Sequence, residues 1–276
     1  MHPDLIPGLP IKTYGFCMAL GFLAAWQVMA WLCRRTGRAQ EQVSNLLMAM
    51  MLSGIVGARL EYVREFWSME FAADPMAVFK IWQGGLVFYG GLVLAIAVFI
   101  GWCVVKRERV APLADLFVTV IPLAHAFGRV GCFFYGCCYG RLSTSACAVA
   151  FPRRSPAWMA QLGAGQIAEG AGESLPVLPT QLFEAVAVLA LFAVLLFVFL
   201  RNWKSRPGLT TGCYLSGYAC IRFGMEFLRG DMRDRVGALS IGQTVSLGLL
   251  FLGFTFVAVS LLRFRAKNCK LEGPTD

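Results

Sequence analysis

The chain has 276 residues, of which 58% are apolar and only 15% are charged. Soluble domains carry about 25% charged residues, so this composition excludes an ordinary soluble domain and predicts a polytopic membrane protein. The net charge of +9 does not indicate nucleic-acid binding. The basic residues form short clusters at the ends of apolar runs, and no nucleic-acid-binding motif accompanies them.

Seven apolar segments approach the roughly 20 residues that a helix needs to span a bilayer. They run over Thr13–Cys33, Asn45–Val63, Gly85–Val105, Leu113–Phe127, Gln181–Leu200, Gly212–Leu228 and Ile241–Leu262. The first segment has no basic region before it and no small-residue cleavage site after it, so we expect a retained helix rather than a cleaved signal peptide. The sequence therefore predicts an all-α polytopic membrane protein with seven transmembrane helices.

The loops predict the orientation of this single transmembrane domain, residues 1–276. Basic residues are more numerous after the first, third and fifth segments and in the C-terminal tail than on the opposite side. Because cytoplasmic loops carry the excess of Lys and Arg, we expect the N-terminus outside and the C-terminus in the cytoplasm. Two outer stretches are too long for simple turns. Residues 64–84 suit an interfacial arm, and residues 132–179 are long enough for a small head inserted outside the membrane.

Three arginines, Arg59, Arg129 and Arg222, fall within apolar segments or at their outer ends. An arginine in hydrocarbon costs about 2.5–3.5 kcal/mol on insertion scales, so these side chains are expected to face protein, water or an anion. The guanidinium fork matches phosphate oxygens, which favours a phosphate clamp at the membrane surface. The alternative is that each arginine pairs with a glutamate and holds helices together. The glutamates in suitable positions are Glu61, Glu184 and Glu226.

His125 lies four residues before Arg129, so the two side chains share one face of the fourth helix. It is the only histidine apart from the N-terminal His2. A neutral imidazole beside the arginines is a candidate general base, and the alternative is a structural histidine with satisfied hydrogen bonds. The glycines at positions 128, 131, 136 and 140 are expected to break the helix after Phe127 and to let backbone approach closely.

Four cysteines, Cys132, Cys137, Cys138 and Cys147, cluster on the expected outer side, where disulfides can form. The spacing Cys-x4-Cys-Cys without a nearby pair of histidines is a poor match to zinc sites, so no metal is predicted. Disulfides or unpaired buried thiols are the first expectation. A metal site, or a reactive thiol activated by Arg129, is the alternative.

Taken in chain order, these residues form a series of short motifs. They are Tyr14-Gly15, Gly57-Ala-Arg59, Trp82-Gln-Gly-Gly85-Leu-Val-Phe-Tyr89-Gly90-Gly91, Gly128-Arg129-Val-Gly-Cys132-Phe, Gly136 with Gly140-Arg141, Pro179-Thr-Gln181-Leu-Phe-Glu184, Arg222 with Glu226-Phe and Arg229, and Ser240-Ile-Gly-Gln243. Each motif is weak alone. In this order they resemble the prolipoprotein diacylglyceryl transferase family over nearly the whole chain.

The resemblance implies a multi-pass enzyme of the bacterial inner membrane, with the arm and the head on the periplasmic side. Such an enzyme takes the diacylglyceryl group from phosphatidylglycerol and places it on the lipobox cysteine thiol of a prolipoprotein signal peptide. A thioether forms and glycerol phosphate leaves. The implied partners are these two substrates and the membrane lipids; no cofactor and no nucleic acid are implied.

The resemblance also implies residue roles. Arg129 and Arg222 correspond to the essential arginines at the lipid headgroup. The implied substrate-binding residues are Tyr14, Arg59, Gly90, Gly91, Gly128, Cys132, Gln181, Glu184, Tyr218 and Glu226, together with Gly136 and Gly140, which shape a loop.

Two positions depart from the family pattern. Tyr89 stands where the family usually has a histidine, and Cys132 stands where it usually has an asparagine. A phenol is a much weaker base than an imidazole at neutral pH, so we expect His125 to act as the base and Tyr89 to donate a hydrogen bond to phosphate. The departures leave open a divergent relative that binds phospholipid and modifies another acceptor. A second alternative, based on Cys132, Cys137 and Cys138, is a membrane thiol-redox or metal-handling protein.

Overall fold

The computed structural model describes residues 13–72, 74–230, 235–237 and 239–271, and this part of the chain is almost entirely helical. The α-helices are α1 (Thr13–Thr36), α2 (Gln40–Phe66), α3 (Phe88–Lys106), α4 (Val110–Tyr135), α5 (Pro156–Gly163), α6 (Thr180–Asn202), α7 (Leu209–Glu226) and α8 (Ile241–Leu271). Between α2 and α3 lie a π-helical turn, Trp67–Phe71, and two 3-10 turns, Pro75–Phe79 and Ile81–Gln83. Two short strands, β1 (Arg235–Val236) and β2 (Leu239–Ser240), pair antiparallel before α8.

Within the described ranges, six helices are long and apolar enough to cross a membrane. They cover Thr13–Thr36, Gln40–Phe71, Phe88–Lys106, Val110–Tyr135, Thr180–Asn202 and Ile241–Lys267. This confirms the all-helical, multi-pass membrane protein that the composition predicts. The remaining predicted segment, Gly212–Leu228, corresponds to α7, which is helical but more polar because its 18 residues include Arg222 and Glu226.

Helix α4 is longer than the sequence predicts. We expected it to end at Phe127, but it continues through Gly128 and Gly131 to Tyr135, so the prediction that these two glycines break the helix is wrong. A β-carbon at Gly131 would lie 3.0 Å from the Tyr14 ring of α1, which indicates that the glycines allow two helices to approach closely. The helix ends at Tyr135, and the next residue, Gly136, has a φ of +80°.

The described residues form two compact units. The smaller unit, Ala30–Leu113, contains the crossing of α2 and α3. A β-carbon at Gly57 would collide with the Gly90 carbonyl, and a β-carbon at Gly91 would lie 2.6 Å from the Gly54 carbonyl. Small residues at such a crossing let helix backbones pack directly against each other.

The larger unit holds the described residues before Ala30 and after Leu113. Within it, the buried carboxylate of Asp115 on α4 accepts hydrogen bonds from the backbone N–H of Gly208 (2.7 Å), the backbone N–H of Thr211 (2.8 Å) and the Thr211 hydroxyl (2.7 Å). Asp115 therefore caps the N-terminus of α7, where free N–H groups and the helix dipole favour a negative charge.

Residues 136–179 of the larger unit form a small folded insertion between α4 and α6. Its buried core contains Tyr139, Phe151, Ala157 and Val177. Helix α5 is capped by Ser155, whose hydroxyl accepts a hydrogen bond from the Trp158 backbone N–H (3.2 Å). Isolated β-bridges join the rest of this segment, including one between Leu142 and Val177. The insertion starts and ends beside the candidate site.

Candidate active site

Arg129 and Glu184 form a buried ion pair between α4 and the first turns of α6. Arg129 Nη2 lies 3.0 Å from Glu184 Oε1, and the two side chains are 16% and 2% exposed. Arg129 also donates a hydrogen bond from Nε to His125 Nε2 (3.0 Å). A buried charge is costly unless it is paired, so each member of this pair depends on the other for its place inside the protein.

A second arginine–glutamate pair lies on α7. Arg222 Nη2 is 2.8 Å from Glu226 Oε2, one helical turn away, and both side chains are largely buried. In the part of the chain that the structure describes, Arg222 Nη1 is buried without a hydrogen-bond partner, as is Gln181 Oε1 at the start of α6. A buried polar atom without a partner costs about 1–3 kcal/mol. Arg222 Nη1 is therefore a candidate donor for a polar ligand, and Gln181 Oε1 a candidate acceptor.

His125 lies within electrostatic range of both arginines, Arg129 and Arg222. Its ring meets the Tyr218 ring edge-on, with 5.6 Å between ring centroids, and Tyr218 stacks on Tyr214 one turn earlier in α7. Helices α4, α6 and α7 thus bring two guanidinium groups, an imidazole and a phenol together. His125 Nε2 accepts the Arg129 hydrogen bond and also lies 3.5 Å from Glu184 Oε1.

The cysteines after Arg129 meet at one point. The sulfur atoms of Cys132, Cys137 and Cys138 all lie within 4.8 Å of one another. The start of α6 holds this turn, since Gln181 Nε2 donates to the Cys137 carbonyl (2.7 Å) and Thr180 Oγ1 donates to the Cys138 carbonyl (2.8 Å). Cys138 has a left-handed φ of +60°, a backbone conformation that costs an ordinary residue about 1–2 kcal/mol.

Charge surrounds this turn as well. Hydrogen bonds from the Cys132 and Cys137 thiols, followed by the Arg229 guanidinium, hold the pKa of the Cys138 thiol below its usual range. Tyr14 on α1 lies within electrostatic range of Cys132 and of Arg129. Tyr14 and Cys132 therefore lie in the same region as Arg129.

Three of the predicted glycines lie at close approaches in the larger unit. A β-carbon at Gly140 would lie 2.7 Å from the Leu178 side chain and 2.7 Å from that of Thr180. Gly136 has the positive φ that ends α4, and a β-carbon at Gly128 would lie 3.2 Å from Met18 Sδ of α1. These glycines allow the chain to fold tightly around the site, and none of them offers a side chain to a ligand.

The smaller unit carries Arg59, which is 7% exposed. Its guanidinium donates four hydrogen bonds to backbone carbonyls of the segment that follows α2. The accepting residues are Ala77 (2.6 Å), Val78 (2.9 Å), Gly84 (2.8 Å) and Gly85 (3.0 Å). The guanidinium also lies over the Phe71 ring at 5.2 Å. These contacts hold residues 77–85 against α2 and leave little donor capacity for a phosphate.

Tyr89, Gly90 and Gly91 also belong to the smaller unit, at the start of α3. Tyr89 is 55% exposed, and its ring meets the Phe88 ring edge-on at 5.8 Å between centroids. Gly90 and Gly91 form the close crossing with α2. The start of α3 thus carries an exposed phenol beside a glycine pair that packs two helices together.

Sequence reasoning missed two positions in the larger unit. Asp115, which caps α7, lies within a predicted apolar helix, and a carboxylate inside such a segment is itself a signal of a buried partner. Gly242 of α8 faces the second ion pair, since a β-carbon there would lie 2.9 Å from Arg222 Nη2 and 3.0 Å from Glu226 Oε2. The Ser240-Ile-Gly-Gln243 motif contained this glycine, but its partner was not evident.

The fold and the site define a multi-pass helical membrane protein with a buried, arginine-rich centre suited to an anionic group. The chain belongs to the prolipoprotein diacylglyceryl transferase family, whose model matches residues 4–259. This confirms the resemblance found in the sequence motifs.

Several relatives are similar over nearly their full length. The phosphatidylglycerol–prolipoprotein diacylglyceryl transferase 2 of Clostridium perfringens is 33% identical over 262 residues, covering 95% of this chain and 95% of that protein. The phosphatidylglycerol–prolipoprotein diacylglyceryl transferase of Vibrio cholerae is 33% identical over 269 residues, covering 92% and 89%. The corresponding protein of Vibrio vulnificus is 32% identical over 263 residues, covering 91% and 87%.

Proposed function

We propose that this protein transfers the diacylglyceryl group of phosphatidylglycerol to the lipobox cysteine thiol of a prolipoprotein signal peptide. Family membership and the names of full-length relatives support this reaction. The structural observation that carries it is the pair of buried guanidinium groups of Arg129 and Arg222, both within electrostatic range of His125, with Arg222 Nη1 unpartnered within the described residues. This arrangement suits the phosphate of an anionic lipid.

The charge change of the reaction matches the two arginines. The phosphodiester of phosphatidylglycerol carries one negative charge, and breaking its glyceryl C–O bond produces a phosphate monoester that gains a second. Donors that are already oriented towards the developing charge stabilise the transition state more than the ground state. Glu184 and Glu226 hold Arg129 and Arg222 in place, so little reorganisation is needed during the reaction.

The bonds balance without any redox change. The thiol sulfur attacks the glyceryl carbon, and a C–S bond forms as the C–O bond to phosphate breaks. The proton of the thiol passes to solvent, and glycerol phosphate leaves with both electrons of the broken bond. Holding the two substrates side by side makes the step effectively unimolecular, which can supply much of the rate enhancement.

We further propose that α7 is the seventh transmembrane helix, with the N-terminus outside and the C-terminus in the cytoplasm of a bacterial inner-membrane protein. The burial of Thr210 and Thr211 supports this, since these two polar residues at the start of α7 face protein. The distribution of basic residues supports the orientation. In this topology the arm, residues 64–84, and the head, residues 132–179, lie on the periplasmic side, where a secreted prolipoprotein presents its lipobox.

The test is lipid transfer by the purified protein in nanodiscs that contain phosphatidylglycerol. A lipobox peptide should gain the mass of a diacylglyceryl group, and a matched peptide with serine in place of the cysteine should not. Nanodiscs of phosphatidylethanolamine provide the headgroup control. Arg222→Gln should abolish the transfer, and the double variant Arg222→Gln/Glu226→Gln, which leaves no unpaired buried carboxylate, should remain inactive while eluting as a folded species. Absence of transfer by the wild type would overturn the proposal. If the Tyr89→His variant then transferred the lipid, the inactivity of the wild type would be due to Tyr89.

A further inference from the structure

We propose that Cys132, Cys137 and Cys138 bind one zinc ion that holds the acceptor thiol as a thiolate beside Arg129. The inference rests on the proposed function for its substrate, whereas the metal site rests on geometry alone. The three sulfur atoms lie within 4.8 Å of one another. In a tetrahedral zinc site, Zn–S bonds of about 2.3 Å space the sulfurs about 3.8 Å apart, so only small side-chain movements separate the observed arrangement from ligation.

The backbone around the three cysteines is fixed from several directions. Cys132 lies on the last turn of α4, while Cys137 and Cys138 follow the sharp turn at Gly136. The carbonyls of Cys137 and Cys138 are held by Gln181 and Thr180 of α6. A turn held in this way brings together thiols that the spacing Cys-x4-Cys-Cys alone would not, and a metal site requires this kind of supporting contact.

Three thiolates are a characteristic ligand set for zinc with one position left open. Three protein ligands and an exchangeable fourth ligand are the pattern of catalytic zinc sites, whereas structural sites use all four. Zinc has no redox chemistry of its own and prefers sulfur ligands, which suits a reaction without electron transfer. A disulfide would join only two of the three sulfurs and leave the third without a role.

The surrounding charges favour the liganded state. Three thiolates around Zn²⁺ have a net charge of −1, and a fourth thiolate from the substrate makes it −2. Arg129 is within electrostatic range of Cys132 and Cys138, and Arg229 of Cys138. Both guanidinium groups offset this negative charge without entering the ligand shell.

Zinc would promote deprotonation of the acceptor thiol, a step for which neither Tyr89 nor His125 is well suited as a base. Tyr89 is a weak base, and His125 Nε2 is occupied by the Arg129 hydrogen bond. A thiol that coordinates zinc loses its proton outright, and the proton passes to solvent. Cys132 is three residues after Arg129 on the same helix, so a thiolate in the open position lies next to the phosphate that Arg129 holds. The thiolate then attacks the glyceryl carbon, and the thioether product, a weaker ligand, leaves the metal.

The first experiment measures zinc in the purified full-length protein by mass spectrometry of the metal. We expect about one zinc per chain. Each of Cys132→Ser, Cys137→Ser and Cys138→Ser should lower zinc affinity by more than the roughly 10–100-fold typical of losing a supporting contact. Cys147→Ser is the matched control, because Cys147 is an exposed cysteine of the same region and should retain the metal.

The second experiment needs no variant, so a folding defect cannot obscure it. Zinc is removed with a chelator and replaced by Co²⁺, whose sulfur-to-metal absorption reports the number of bound thiolates. The lipobox peptide should intensify this absorption, and the serine peptide should not. Readdition of Zn²⁺ to the chelated enzyme should restore transfer.

The outcomes separate this inference from the proposed function. Transfer by a metal-free wild type, or a disulfide among the three cysteines in active protein, would overturn the zinc site and leave the transferase intact. A cobalt spectrum indifferent to the lipobox peptide would overturn thiol delivery. Stoichiometric zinc with the expected peptide response, but without transfer from phosphatidylglycerol, would support the site and count against the lipid donor.

Discussion

The buried pair of Arg129 and Glu184 allows catalytic and structural roles to be separated. Arg129→Gln removes one of the two guanidinium groups that stabilise the negative charge developing on the phosphate. The activation free energy of transfer should rise by about 2.7–4 kcal/mol, which lowers kcat roughly 10²–10³-fold. It also leaves Glu184, only 2% exposed, as an unpaired buried charge, which should destabilise the fold by about 3–5 kcal/mol. Adding Glu184→Gln removes that charge. The double variant should therefore recover most of the stability and none of the activity.

The assay is diacylglyceryl transfer to a lipobox peptide, measured beside thermal unfolding for the wild type, both single variants and the double variant. The matched control is the more exposed pair Arg38–Glu108, separated by 3.2 Å. Replacing both of its members with glutamine should change stability by about 1 kcal/mol or less and leave transfer unchanged. If the Arg129/Glu184 double variant regains wild-type turnover, Arg129 acts only as a structural partner of Glu184, and the phosphate-binding role is refuted.

Three further predictions follow from the site. Arg222→Lys keeps the charge but loses the planar fork, so transfer should fall at least about 10-fold, whereas Arg201→Lys at an exposed position should have no effect on the same assay. Gly242→Ala places a β-carbon 2.9 Å from Arg222 Nη2 and should lower the kcat of transfer with little loss of stability. The control is Gly248→Ala, whose β-carbon would meet nothing within 4 Å and should leave kcat unchanged. Equal activity of the two variants would contradict a role of Gly242 in positioning Arg222. Arg59→Gln should speed limited proteolysis within residues 77–85, because four hydrogen bonds to that segment are lost, and unchanged cleavage would argue against its structural role.

The helices were predictable because apolar runs of bilayer length leave few alternatives. The end of α4 was not. The glycines at 128 and 131 read as helix breakers by propensity, but they serve as contact surface for α1. Propensity describes a helix in isolation, whereas Gly131 is explained by Tyr14, a residue more than a hundred positions away. Tertiary packing therefore overrides the local signal here.

The candidate site was predictable only in part. The sequence favours a phosphate clamp of buried arginines and leaves glutamate pairing as the alternative, and the structure contains the pairs Arg129–Glu184 and Arg222–Glu226. The sequence does not predict that backbone carbonyls accept hydrogen bonds from the Arg59 guanidinium, because these carbonyls lie in a segment without regular periodicity. Nor does spacing predict that Cys132 meets Cys137 and Cys138, since that depends on the positive φ of Gly136.

The cap that Asp115 makes on α7 has a mechanical consequence. It fixes the end of α7 at Leu209, and Arg222 lies 13 residues further along, which at 1.5 Å per residue is about 20 Å away. Movement of α7 would then be a pivot about its capped end, and a tilt of about 5° would displace the Arg222 end by roughly 2 Å. So small an angle is enough to make or break a guanidinium–phosphate contact. A small tilt of α7 about its N-terminal end, which Asp115 holds, is therefore enough to admit or release a lipid phosphate at Arg222.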